Sequence, residues 1–139
     1  MRKFIYIFVA FIACLFSCDK AFENGELDGM WRLKEIEMHG ISANPGNICF
    51  SFQRHLVLLG KYQEQGAPEL YMAEFEHNDG IITMKRFYAY PGVEGVCNKE
   101  DLEKYYIFND VEVFVVDVLS EDALVMHTHD GRVYSFRRW

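Results

Sequence analysis

Two arginines stand at positions where strand alternation would aim them into an apolar interior. In the stretch Ile48 to Leu59 (ICFSFQRHLVLL), the phase that carries Ile48, Phe50, Phe52 and Leu56 also carries Arg54. In Ile81 to Tyr90 (IITMKRFYAY), Ile82, Met84 and Tyr88 share a face with Arg86. A buried guanidinium left alone is costly, so each must meet an anion: the carboxylate of a ligand, or an acidic side chain such as Glu35 or Glu74 turned inward. A β-bulge in either stretch would shift the register and release the arginine to water.

Other chemistry is thinly represented. His127 and His129 lie two residues apart, on one face of a strand, but no third ligand is placed by sequence and His39, His55 and His77 are scattered, so no metal site is expected. No serine sits in a nucleophile elbow and no glycine-rich phosphate loop occurs. The carboxylates Glu74, Glu76, Glu112 and Asp117 read as a solvated outer face. The chain is therefore expected to be no enzyme and to need no cofactor.

The amino terminus carries a different kind of chemistry. Arg2 and Lys3 precede an uncharged apolar run from Phe4 to Phe16, and Leu15-Phe16-Ser17-Cys18 is followed at once by Asp19-Lys20. A basic segment, an apolar segment and a small residue before a cleavage point make a secretory signal peptide. About 13 apolar residues at roughly 1.5 Å of helical rise each fall short of the ~30 Å hydrocarbon layer, so this is a poor membrane span. The tetrapeptide resembles the bacterial lipobox, with Phe16 bulkier than usual at its place. That resemblance implies cleavage before Cys18, acylation of its thiol and new amino group, and stable anchoring by two or three acyl chains.

Residues 1–17 are thus expected to be the signal peptide, 18–27 a lipidated tether and 28–139 the domain. The expected location is the cell envelope, as a membrane-anchored lipoprotein of the outer membrane on its periplasmic or surface side. Asp19 fits either inner-membrane retention or surface display. Once the leader is removed, twelve basic side chains face twenty-one acidic ones. Such a surface repels nucleic acid, which is excluded as a partner. Cys49 and Cys97 would then lie in an oxidising compartment without a CxxC pair, and they are a candidate disulfide.

The elements that must position these residues are strands. Met30 to Met38, Ile48 to Leu59, Glu69 to Glu76, Ile81 to Tyr90, Glu112 to Leu119, Ala123 to His129 and Val133 to Arg138 are rich in β-branched and aromatic residues and are bounded by turn formers. Asn78-Asp79-Gly80 and His129-Asp130-Gly131 are strong hairpin signals. Between Pro91 and Asn109, the run Asn98 to Tyr105 reads as a short capped helix, and Tyr105 to Phe108 as a candidate eighth strand. An open meander of this length would expose two long edges, so the sheet should close. The fold class is all-β: a small antiparallel up-and-down barrel of seven to eight strands with one short helix.

Gly29-Met30-Trp31 opens the first strand and Phe136-Arg137-Arg138-Trp139 ends the last. This combination resembles the lipocalin and fatty-acid-binding superfamily. More closely, GMWRLKEIE, FSFQRHLVLLG and LVMHTHDGRVYSFRRW look like the small lipocalin-like lipoproteins of Gram-negative bacteria, over most of residues 28 to 139. The resemblance implies a barrel floor of Gly29, Trp31 and Arg138, the arginine packing across the tryptophan ring. It also implies that Arg54 and Arg86 hold a carboxylate with help from Tyr88 or Tyr134.

Two functions are then expected. One is a binding module for a small apolar or amphipathic ligand. The other is an interaction or inhibitor lipoprotein with a filled core, whose loop Pro91 to Asn109 meets another envelope protein. Lumen volume discriminates between them.

Overall fold

The structure, a computed structural model, describes residues 24–91 and 98–139. A single turn of 3-10 helix at Gly25–Leu27 leads into nine strands: β1 Gly29–Met38, β2 Ile41–Ala43, β3 Ile48–Gln53, β4 Leu56–Lys61, β5 Glu69–Asn78, β6 Ile81–Ala89, β7 Val111–Leu119, β8 Ala123–Thr128 and β9 Val133–Arg138. One short helix, α1 Lys99–Glu103, interrupts the series between β6 and β7. All pairings are antiparallel between neighbours in sequence, apart from β1 with β3 and β1 with β9. The β1–β9 ladder, from Trp31 opposite Arg138 to Glu37 opposite Val133, closes eight strands into a barrel. β2 is the extra strand, a short extension paired only with the end of β1.

Alternation fills the barrel. Trp31 and Leu33 of β1, Phe50 and Phe52 of β3, Val57 and Leu59 of β4, Phe75 of β5, Met84 of β6, Phe114 of β7, Met126 of β8 and Phe136 of β9 are all buried in one apolar cluster. Phe50 and Phe136 lie 5.0 Å apart between ring centres, Phe52 and Phe75 5.1 Å, and Phe114 and Tyr134 5.2 Å. Such tilted and edge-on contacts are the favoured geometry of aromatic packing.

Two sequence expectations are corrected here. The stretch Ile48 to Leu59 is not one strand: Gln53 pairs with Leu56, and Arg54-His55 between them is a two-residue hairpin turn. Tyr105 to Phe108 is not a strand, because it folds inward as a stopper at the barrel mouth. Asn98 caps α1 by accepting from the Glu100 amide through Oδ1 (3.2 Å). Behind it, Leu102, Tyr105 and Ile107 are buried in the core cluster. Among the described residues no helix is long and apolar enough to cross a membrane.

Candidate functional site

The floor of the barrel forms where the first strand begins and the last ends. Trp31 is fully buried, and its Nε1 donates to the Leu27 carbonyl at 2.8 Å. The Arg138 guanidinium lies over that ring, Cζ 4.2 Å from its centre, and Nη1 donates to the Asp28 carbonyl at 2.8 Å. It donates further to the carbonyls of Glu121 and Glu26, so one side chain ties the chain's entry to the β7–β8 turn. Gly29 has φ +122°, and a Cβ there would stand 2.6 Å from Arg138 Nη1. Only glycine combines that backbone with that proximity.

Both arginines expected inside the barrel are outside it. Arg54 occupies the β3–β4 turn with φ 57°, and its side chain is exposed. Arg86 also has φ 57°, at a bulge where Met72 pairs with Tyr88 but Glu74 pairs with Lys85. The extra residue moves Phe87 into the core and sends Arg86 and Tyr88 outward. The Arg86 side chain is 61 % exposed and pairs with Glu74 at 3.3 Å, itself on the outer surface. Tyr88 donates to the Met72 sulfur at 3.0 Å. A second bulge, at Leu33 to Glu35 of β1, keeps Glu35 exposed as well. The lumenal carboxylate receptor expected from Arg54, Arg86 and Tyr88 is therefore not formed.

The buried arginine is Arg132, which sequence reasoning missed. It lies at the mouth, 4 % exposed, and forms a two-point ion pair with Glu112, 2 % exposed: Nη2 to Oε2 at 2.8 Å and Nη1 to Oε1 at 3.2 Å. Nη1 also donates to the Tyr106 carbonyl at 3.1 Å, and Nε reaches Asp130 Oδ1 at 3.0 Å. Glu112 Oε1 accepts from the amides of Phe108 (2.8 Å) and Asn109 (3.0 Å). Glu112 thus belongs to the interior, and its assignment to a solvated outer face is corrected. Tyr134, the other expected ligand partner, donates to the Tyr106 carbonyl and is already committed to this network.

Burial alone would lower the Arg132 pKa, yet hydrogen bonds to Glu112 and Asp130 and the nearby charges raise it beyond its ordinary range. Burial pushes the Tyr134 phenol up, against the opposing pull of Arg132. Asp130 is held below the usual carboxylate range, chiefly by the hydrogen bond from Thr128, with Arg132 adding to it. The signal was available: counting back two from Phe114 gives Glu112 at the start of β7, and two from Tyr134 gives Arg132 in the turn that enters β9.

That network fastens the stopper. Tyr105 Oη donates to the Glu69 carbonyl at 2.8 Å, and Tyr71 Oη to Asp101 at 2.9 Å, which pins the other side to β5. Among the described residues, those that line the lumen pack into one buried cluster, with Leu102, Tyr105 and Ile107 stoppering its mouth.

On the outer wall, Cys49 pairs in register with Arg32 and Gly60. The Tyr62 ring lies over Gly60, and Trp139 stacks against both Tyr62 (5.9 Å) and Arg32 (5.5 Å), so the aromatic pair spans the rung on which Cys49 sits. Cys49 is buried and unbridged, and burial pushes its thiol up to about 11 despite Arg32 and Lys34. Cys97, its partner in the candidate disulfide, lies outside the described residues, as does Cys18. His127 Nδ1 donates to Asp117 Oδ2 at 2.7 Å on the outer face, His129 lies in the next turn, and the described residues contain no cluster able to hold a metal.

A family model described as a lipocalin-like domain matches residues 13–139. The fold is similar to a lipocalin-like protein of Bacteroides uniformis (TM-score 0.69, 19 % identity, 83 % of this chain and 100 % of that one). It is also similar to an uncharacterized protein of Bacteroides eggerthii (0.66, 17 %, 81 % and 99 %) and to a protein from Burkholderia xenovorans (0.53, 14 %, 81 % and 82 %). No curated protein matches the sequence.

Proposed function

Because the chain belongs to the lipocalin-like domain family, whose fold is that of a binding module, we propose that it binds by its outer surface rather than by its lumen, tethered to a cell-envelope membrane through Cys18. The observation that carries this reading is the filled interior. A small-molecule site normally needs a concave space of some hundreds of cubic ångströms, and here facing rings and the Leu102–Tyr105–Ile107 stopper take that space.

The outer wall supports the same reading. Along β7 the outward residues Val111, Val113, Val115 and Val118 are 40–52 % exposed, and Ile81 stands directly opposite Val115. An outward row of exposed valines, broken by Asp117 between Val115 and Val118, is the kind of surface that partners cover. Of the two expected functions, this favours the interaction protein with a packed core. Anchoring is supported by the apolar leader ending in Leu15-Phe16-Ser17-Cys18, and by a family match that begins upstream of Cys18.

Fluorescence tests the closed lumen. In a Trp139→Phe background Trp31 is the remaining tryptophan, deep in the barrel. A brominated fatty acid should leave its emission unquenched. Saturable quenching of Trp31 would overturn the proposal and restore a lumenal ligand.

A further inference from the structure

The outer faces of β3, β4 and β5 form an open groove of about 420 Å³, lined by Ser51, Gln53, Leu56, Leu58 and Met72, with Arg54 and His55 at one end. The register explains its shape. Ser51, Leu58, Met72 and Tyr88 are successive cross-strand partners, so an apolar band crosses four strands on the outside of the barrel. Gln53 and Leu56 form the next rung, and the turn they enclose delivers Arg54 and His55 to the end of that band. Asn24 Nδ2 donates to the Arg54 carbonyl at 2.7 Å, fixing the turn against the entry to the domain.

The charges around the groove are unequally spent. Glu74, beside Leu56, is engaged by Arg86. Asp28 accepts from Asn24 through both carboxylate oxygens (2.7 and 3.2 Å). The Arg54 guanidinium makes no ion pair or hydrogen bond with another described residue, and its side chain is exposed at the end of the groove. Although the chain carries a net −7, that excess is screened over about 8 Å in physiological salt, and the local cation governs what binds at this spot.

We infer that this exterior groove is a binding site for a small free amphipathic carboxylate, its head on Arg54 and His55 and its apolar body along Leu56, Leu58 and Met72. The volume lies in the range of small-molecule sites, and an arginine fork suits a carboxylate. The inference rests on the reading that the barrel works by its exterior.

The methionines make the test direct, since Met72 lines the groove whereas Met84 and Met126 are buried in the lumen. The full-length protein, labelled at its methionine methyl groups, is titrated with octanoate and, separately, with octylammonium, which has the same tail and the opposite charge. Octanoate should shift the Met72 methyl saturably and leave Met84 and Met126 unmoved. Octylammonium should bind at least tenfold more weakly. Arg54→Gln, at an exposed turn position, should weaken octanoate at least tenfold with the Met84 and Met126 signals in place as proof of fold; Leu58→Glu, which keeps the Met72 reporter, should do the same from the apolar end. No saturable Met72 shift, or equal binding of the two tails, overturns the groove and leaves the exterior reading standing. Saturable shifts at Met84 and Met126 overturn both.

Discussion

Arg138 and Trp31 meet at the barrel floor although 107 positions separate them, with the guanidinium carbon 4.2 Å from the ring centre. This contact joins the two ends of the domain at the rung where β1 and β9 pair, so it closes the barrel as well as covering the core. Cation–π attraction of this kind contributes about 0.5 to 2 kcal/mol, growing with desolvation.

Trp31→Ala should therefore destabilise the fold by about 3–5 kcal/mol in urea unfolding, the usual cost of removing a large buried aromatic. Gly29→Ala should cost about 1–3 kcal/mol, because the new Cβ meets Arg138 Nη1 and the backbone has positive φ. Combined with Arg138→Ala, which removes the clash, the loss should be less than additive. Strict additivity would show that Gly29 is needed for its backbone alone.

The two classes of arginine should behave oppositely. Arg86→Met touches an exposed pair and should change stability by no more than about 1 kcal/mol. Glu112→Ala takes the buried carboxylate away from both Nη groups of Arg132, leaving only the more exposed Asp130 on Nε, and should cost about 3–5 kcal/mol. Glu112→Leu with Arg132→Met should recover much of that loss. A comparison of four denaturation midpoints decides it.

Cys49 should be inert until the protein unfolds. With a thiol pKa near 11 in the fold and about 8.5 when unfolded, the unfolded chain loses its proton first as pH rises. Stability should therefore fall from about pH 8.5 towards pH 11, by up to about 3 kcal/mol at this site. Cys49→Ala should flatten that part of the profile. Iodoacetamide should modify Cys49 slowly in native protein and fast in urea without reductant, as judged by mass mapping of its peptide; a peptide found only after reduction would show a bridge.

Anchoring is checked at Cys18. Expression of Cys18→Ser should give a form that no longer partitions into detergent and lacks the mass of acyl chains. Unchanged partitioning of that variant would sink the lipid anchor.

The sequence by itself determined the kind of fold, because alternation, aromatic content and Asp-Gly turns are local signals. Six of the strands, the apolar stretch that holds β3 and β4, the short helix, and the glycine and tryptophan at the start of the first strand follow from them. The side each arginine faces does not. Arg54 and Arg86 take positive φ, one in a two-residue turn and one in a bulge, and a single such residue inverts the phase of everything after it. Nothing in ICFSFQRHLVLL distinguishes a continuous strand from two strands joined at Arg54-His55, since both place apolar residues at similar spacing. The partnership of Arg132 with Glu112, 20 positions apart, likewise depends on the β7–β8 register, which sets Phe114 opposite Thr128 and so brings the β8–β9 turn against the start of β7. Tertiary structure alone decided the state of the lumen. Whether a barrel is open depends on where its connecting loop folds, and here Leu102, Tyr105 and Ile107 gain more by burial among rings than by exposure at the rim.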